Sequence, residues 1–429
     1  MGRPRSDRWA YLAPRLFVLL GASLIASIAA DRLAGLVVPA TVPQQIAHPP
    51  NLVEERNTIE FSYEFRSNSM GLRYRELPLA RRHEGEFRMA LAGDSFTEGY
   101  GMPDGERFSE LLEASLSTAE HPASVINCGL SGTGPAEYGR TLLAVCAKYH
   151  LDLAVAVVFT NDLHDTSASA ALGLRRNRRG EFEMPTGTAP TYEPGSTLRR
   201  VVSRIWPWSY ARLRNWSVTR DQQRLKSAGF LHFVEERARR EHIPDSAVAA
   251  WRARIPPRLL EAAEHGRFNG SALALGLFEP NIWVESLDLD GDRARTKWVA
   301  MRRVLDDIMV SCRQLALTCA VVYAPTTVQY DQARAALERV TGIRVRPEWM
   351  TGRSELERAL DDWAASKSVP FFSMTEDFRR AAAARPGTLN FEFDGHWTAA
   401  GHHVAASAIG RWLRTQHLLP AGRTANASR

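Results

Sequence analysis

From Glu86 to the last helix, short apolar runs rich in β-branched residues alternate with stretches of helical periodicity, which confines the chain to an α/β architecture on a parallel sheet. Five runs read as buried strands: Arg88 to Ala92, Ser124 to Asn127, Leu153 to Phe159, Thr318 to Tyr323 and Val369 to Ser373. Between the first two, Phe108, Leu111, Leu112 and Leu116 recur at the spacing of one helix face. Leu337, Leu356, Leu360 and Trp363 fall in helical stretches between the last two. Val404, Ala405, Ala408, Ile409, Trp412 and Leu413 form the stripe of a closing helix. The expected fold is a three-layer α/β/α domain around a five-stranded parallel sheet.

A chain of 429 residues holds more than that domain. Its divisions read as follows: 1–40 a signal anchor or signal peptide; 41–85 a linker and N-terminal extension marked by Pro43, Pro49 and Pro50; 86–165 and 311–418 the two parts of the α/β domain; 166–310 a mainly helical insertion; and 419–429 a polar tail. The insertion carries Arg175, Arg176, Arg178 and Arg179, a turn-rich piece from Pro185 to Gly195, and Trp206, Trp208, Trp216 and Trp251. Insertions of this size build a lid or accessory subdomain near the active edge. The arginines suit an acidic glycan or a solvated loop, and the tryptophans a sugar-stacking surface or a buried core.

Apolar residues at 45% and charged residues at 24% exclude disorder and a multi-span membrane protein. A net charge of +6 is too small and too spread along the chain to predict a nucleic-acid partner. Cys128, Cys146, Cys312 and Cys319 lack the C-x-x-C spacing of a zinc ribbon or thioredoxin-like centre.

The N-terminus is a targeting segment. Arg3, Arg5, Arg8 and Arg15 stand against a single Asp7, and Leu16 to Ala30 then runs without a charge. Apolar character resumes after Asp31 and Arg32, which suits an uncleaved anchor with Arg15 snorkelling; Ser27-Ile28-Ala29 suits a cleaved signal peptide. Both readings keep the positive end in the cytoplasm and export the rest, to a membrane-anchored periplasmic position or to secretion.

Chemistry concentrates at the ends of the strands. Leu91-Ala92-Gly93-Asp94-Ser95 ends the first strand in a small-residue turn that presents the Ser95 hydroxyl at the mouth of the sheet. A serine needs a base and the base an orienting group, and Asp394-Gly395-His396-Trp397 offers both; in an extended loop Asp394 and His396 project to one side. His402 and His403 compete as bases but fall inside the closing helix. With no Cys or Glu at ligand spacing, the three histidines make a poor metal site, and neither metal nor organic cofactor is expected. After the second strand comes Ser131-Gly132, and after the third Asn161-Asp162. The Gly132 N–H and Asn161 amide converge with the Ser95 N–H as an oxyanion site, or serve only as turn former and helix cap.

The order Gly-Asp-Ser, Ser-Gly, Asn-Asp and a late Asp and His resembles the SGNH or GDSL hydrolase superfamily over about Arg88 to Leu413, minus the insertion. The resemblance implies Ser95 as nucleophile and first oxyanion donor, Gly132 as second donor, Asn161 as third, His396 as base and Asp394 as its orienter. Phe159-Thr160-Asn161 replaces the commoner Gly-x-Asn, and Asp394-x-His396 is one residue shorter than the usual Asp-x-x-His. Followed by Trp397, that short spacing is similar to the motif of exported bacterial proteins that O-acetylate alginate and related exopolysaccharides. The implied activity is an exported esterase or O-acetyltransferase on carbohydrate. The alternatives are a non-catalytic carbohydrate-binding or envelope assembly protein that uses the same fold, or a lipase-like esterase.

Overall fold

The computed structural model describes residues 7–37, 46–81, 85–167, 170–184, 197–210, 212–213, 220, 229–331 and 336–420. Arg3, Arg5, Trp216 and the piece from Pro185 to Gly195 lie outside them. The described residues fall into two compact units, one drawn from Met1–Gln44 and Pro185–Gln223, the other from Gln45–Met184 and Arg224–Arg429.

The larger unit is built on five strands: β1 (Phe87–Gly93), β2 (Ala123–Gly129), β3 (Leu153–Phe159), β4 (Thr318–Ala324) and β5 (Phe371–Ser373). They pair in the order β2-β1-β3-β4-β5, every pair parallel. The expected strand from Val369 starts two residues late, at Phe371, because Pro370 has no N–H to give the ladder. Alternation along each strand sorts the core into two layers. Ala90 and Ala92 of β1, Ala154, Ala156 and Val158 of β3, and Val321 and Tyr323 of β4 face one core, with the helices Pro135–Ala144, Gly291–Gln314 and Glu355–Ser366. Met89, Leu91, Val155, Val157, Ala320 and Val322 face the other, with Phe108–Leu116, Thr375–Ala384 and Ala399–Thr415. This is the three-layer α/β/α architecture, doubly wound, and the order reverses between β1 and β3. Ligands of such sheets bind at the carboxyl ends of the strands beside that reversal.

Two expected divisions look different in the structure. Gly291–Gln314 is one helix that covers the sheet between β3 and β4, so the boundary at 310 cuts through a core element. Its six Arg and Lys residues are spread over a solvated face, and the buried stripe of Ala294, Met301, Val304, Leu305 and Ile308 is diluted in the sequence. Within 41–85, residues 46–81 are not a linker. Val53–Asn57 and Ser62–Arg66 form an antiparallel hairpin with Tyr63 and Phe65 buried, followed by buried Leu72 and Arg73. Of the insertion, Phe230–Arg240, Asp245–Arg254, Pro257–Glu264 and Gly270–Phe278 pack a small core of their own around Phe230, Trp251, Leu259 and Leu273. Two disulfides, Cys128–Cys146 and Cys312–Cys319, pair all four cysteines.

In the smaller unit the helix Asp7–Val37 contains the apolar stretch Leu12–Ala34, with a mean hydropathy of 1.9. It leaves Phe17, Val18, Leu19, Leu20 and Ile25 exposed.

Candidate active site

β1 ends at Gly93, where any side chain would start 2.8 Å from the Val157 carbonyl oxygen and closer still to Thr97 Oγ1. Only glycine lets the next turn fold so tightly against β3. Asp94 then caps the short helix Ser95–Glu98, its Oδ1 accepting from the Phe96 N–H at 2.9 Å. Ser95 therefore sits on the first helical position at the carboxyl end of β1. Among the described residues no protein group accepts from the backbone N–H of Ser95 or of Gly132, and both are thus free for a ligand.

The Ser95 Oγ–H donates to His396 Nε2 at 2.7 Å. His396 Nδ1–H donates in turn to Asp394 Oδ1, which also accepts from the His396 backbone N–H at 3.4 Å. The structure brings the serine, base and orienting carboxylate into one chain of bonds. The local geometry differs from the extended loop expected: residues 392–394 form a turn, and Gly395, at φ +84°, reverses the backbone. Asn390 Nδ2 closes this turn on the Gly395 carbonyl at 2.7 Å, and the Phe391 N–H bonds the His396 carbonyl at 2.9 Å. A residue with a Cβ is disfavoured at that φ, so the short Asp-x-His spacing works because its middle residue is glycine. Beneath it Trp397 is fully buried against Phe96 and Phe378.

His396 ring contacts are aromatic, with Phe96 4.7 Å and Tyr100 4.8 Å away between centroids. Burial among them opposes the imidazolium, but the charge and hydrogen bond of the adjoining Asp394 carboxylate, with the Asp94 and Glu98 charges, together outweigh it and raise the pKa above the ordinary imidazole value. His402 has the opposite fate. It is buried, its Nδ1 accepts from the Phe108 N–H at 3.2 Å, and burial with the nearby Arg107 and Arg73 charges depresses its pKa to about 3. It caps a helix and does not reach Ser95.

The remaining two expected donors stand differently. Gly132, at φ +73°, has its N–H open. The Asn161 amide already donates to Asp165 Oδ2 at 3.0 Å, which leaves one of its two N–H groups, and no bond joins it to Ser95 or His396. Asn161 is not a side-chain cap of its helix either. Next to it, burial drives the Asp94 and Asp162 carboxyls upward, and Asp162 accepts from Tyr138 Oη–H and from the Phe159 N–H.

Several residues that shape the site escape sequence reading. Glu98, one helical turn after Ser95, is fully buried and accepts from His48 Nε2 at 2.6 Å, Arg56 Nη1 at 3.1 Å, and both the N–H and Oγ–H of Ser131. Burial alone would raise its pKa, yet these donors hold it down to about 2. The buried anion thus fixes the turn that carries Gly132. On the other side of Ser95, the Glu60 carboxylate accepts from the N–H groups of Phe393 and Asp394 at 3.1 and 2.7 Å. Phe393 itself enters the core of the helical insertion. Hairpin and insertion together therefore hold the loop bearing Asp394. The i+3 spacing of Ser95 and Glu98 is a signal in the sequence; His48 and Glu60 give none, because the contacts span 50 and about 330 residues.

No protein-family model matches the chain, and no curated protein matches it. Among solved structures the chain is similar to a member of the lipolytic protein G-D-S-L family from Veillonella parvula DSM 2008, at 9% identity and a TM-score of 0.33, over 75% of this chain and 95% of that one. It is also similar to a catalytic mutant of Axe2, an acetylxylan esterase from Geobacillus stearothermophilus, at 9% identity and a TM-score of 0.35, over 76% of this chain and 94% of that one. At such TM-scores the likeness carries no argument, and the fold rests on the strand order and layers given above.

Proposed function

We propose that the protein is an exported serine esterase or acyltransferase of the SGNH type, acting on an O-acyl group, O-acetyl foremost, carried by a carbohydrate. The observation that carries this reading is the unbroken hydrogen-bond chain from Ser95 through His396 to Asp394, beside two open backbone N–H groups. Ser95 Oγ attacks the ester carbonyl while His396 Nε2 takes its proton. Asp394 holds the ring in the tautomer that leaves Nε2 free and stabilises the imidazolium that forms. The oxyanion is received by the N–H groups of Ser95 and Gly132 and by the remaining N–H of the Asn161 amide. His396 then returns its proton to the leaving alcohol, and water or a sugar hydroxyl, deprotonated by the same imidazole, releases the acyl group from Ser95.

Carbohydrate is supported by the motif Asp394-x-His396-Trp397 and by half-exposed aromatic rings beside the base. Phe61 lies 5.3 Å from Tyr100 and 4.7 Å from Phe391, and Tyr100 borders His396. Rings so placed offer faces on which a sugar can stack. Export is supported by the charged start of the apolar helix and by two disulfides, which persist in oxidising compartments.

A fluorophosphonate probe tests the reading. Ser95 is expected to be labelled in the native chain and the label to be lost in Ser95→Ala, with cleavage of p-nitrophenyl acetate lost alongside. Absence of label from a folded native chain would discard the esterase and leave the carbohydrate-binding alternative.

A further inference from the structure

Asp31 and Arg32 interrupt the apolar N-terminal segment, and in the smaller unit both are met by the same stretch of the insertion. Asp31 is buried, 4% exposed. Its carboxylate accepts from the N–H groups of Trp208 and Ser209 at 3.2 and 2.7 Å and from Ser209 Oγ–H at 2.6 Å. Arg32 Nη2 donates to the Arg204 carbonyl at 3.0 Å, and Trp206 Nε1–H donates to Ser27 Oγ at 3.1 Å. Residues 27–32 of the first helix and 204–209 thus form one polar joint. A charge at the edge of a bilayer is costly unless partnered, and here the partners are supplied by the fold.

The helix Thr197–Ile205 leads into that joint. Leu198, Val201, Val202 and Ile205 recur along one face, while Arg199, Ser203 and Arg204 lie off it. Leu198 is 74% and Val201 47% exposed, so these two stand open among the described residues, while Val202 and Ile205 are half-buried. The apolar stretch Leu12–Ala34, 23 residues and about 35 Å at 1.5 Å per residue, is long enough for a hydrocarbon core of about 30 Å. Its outward end lies at the joint. Trp208 is buried in the joint, and Trp206, half-buried beside it, is of the type that collects at membrane surfaces.

We infer that the N-terminal helix is retained as a membrane anchor, and that Thr197–Ile205 is an interfacial helix seated on it, with Leu198 and Val201 dipped into the bilayer and its arginines toward anionic headgroups. The occupant of the exposed stripe is lipid, because the stripe adjoins the joint at the end of an exposed apolar span and has basic residues at its edge. Cleavage after Ala29 would separate Ser27 from Asp31 and strip the joint of the helix it is built on. Of the bonds of the joint, Trp206 to Ser27 is the one that cleavage would break, while those of Asp31 and Arg32 would hang on a free N-terminus. The esterase reading is independent of this one.

The test uses the full chain, reconstituted into vesicles of phosphatidylethanolamine and phosphatidylglycerol, with a nitroxide on Leu198→Cys, Val201→Cys or Ser203→Cys. Labels at 198 and 201 are expected to collide more often with dissolved oxygen than with a water-soluble nickel chelate, the label at 203 less often. The mass of the mature chain is expected to include residues before Ser27. Asp31→Ala is expected to erase the contrast between 198 and 203 while fluorophosphonate labelling of Ser95 continues. Labels at 198 and 201 open to the nickel chelate, labels shielded from both colliders by protein, a contrast that survives Asp31→Ala, or a mature N-terminus at Ala30 or beyond would each overturn the inference. Loss of Ser95 labelling in the native chain bears only on the esterase.

Discussion

His396 and His402 stand six residues apart on one continuous stretch of chain, and the fold sends them in opposite directions. His396 leaves a glycine-centred turn with one nitrogen on a carboxylate and the other on Ser95, and its pKa is raised. His402 lies in the first turns of the closing helix, with Nδ1 receiving a backbone N–H, arginines facing it, and a pKa near 3. Both rings are packed among aromatic groups, so burial is common to the two. The difference is the sign of the neighbouring charge: a carboxylate makes one imidazole a proton acceptor near neutral pH, and two guanidiniums keep the other a neutral acceptor for a helix end.

The largest effect tests whether only one of the two histidines is chemical. His396→Ala and Ser95→Ala are each expected to lower kcat by roughly 10⁴- to 10⁶-fold in hydrolysis of p-nitrophenyl acetate. Because the pair acts as a unit, the double variant is expected to be no slower than either single one. His402→Phe should leave kcat unchanged. An essential His402 would invert the comparison and remove the short Asp-x-His reading.

A second pair of effects separates the two sides of Ser95. The free base is needed for attack, so kcat/KM is expected to fall as pH drops through a limb lying above the ordinary imidazole pKa of about 6.5. Asp394→Asn removes the charge that raises His396, so the limb should move to lower pH while the rate on the plateau drops. Glu98→Gln should act differently. It weakens the acceptor that fixes Ser131 beside Gly132, and loss of one oxyanion donor costs about 10²- to 10³-fold, which bounds the decrease in kcat from above. With its pKa near 2, Glu98 is charged throughout the working range, and its charge is a minor cause of the raised His396, so the plateau should drop while the limb moves less than in Asp394→Asn. A limb moved as far as in Asp394→Asn, with the plateau rate kept, would mean that the buried anion acts on His396 and not on the Gly132 turn.

What the sequence makes legible follows the range of the forces involved. The five strands, the closing helix, and the order of Ser95, Gly132, Asn161 and His396 are all written in local patterns, and local patterns survive in a single sequence. The hold on those loops is not local. Glu60 reaches Asp394 and His48 reaches Glu98 only after a hairpin read as linker has folded. Phe393 looks like any loop aromatic until the insertion closes a core around it. Charge misled as well: 291–310 read as part of the insertion, because a one-dimensional pattern shows its Arg and Lys residues and not the buried stripe between them.

The smallest effect is in stability, and its sign is fixed by the depressed pKa of His402. In the native state that ring stays neutral down to about pH 3, whereas in the unfolded chain it takes a proton near 6.5. Between those values the unfolded state binds the extra proton, so the stability His402 contributes is present above about pH 6.5 and is lost as pH falls towards 3. One proton gives a slope of at most about 1.4 kcal/mol per pH unit. His402→Phe removes the titrating ring and also the acceptor of the Phe108 N–H, a buried donor whose loss of partner costs about 1–3 kcal/mol. In urea unfolding followed by circular dichroism, the variant is therefore expected to be less stable at pH 7 and to have a flatter dependence on pH between 6.5 and 4. Parallel curves for variant and native chain across that window would show that His402 is protonated in the folded state, and the contrast with His396 would then rest on geometry alone.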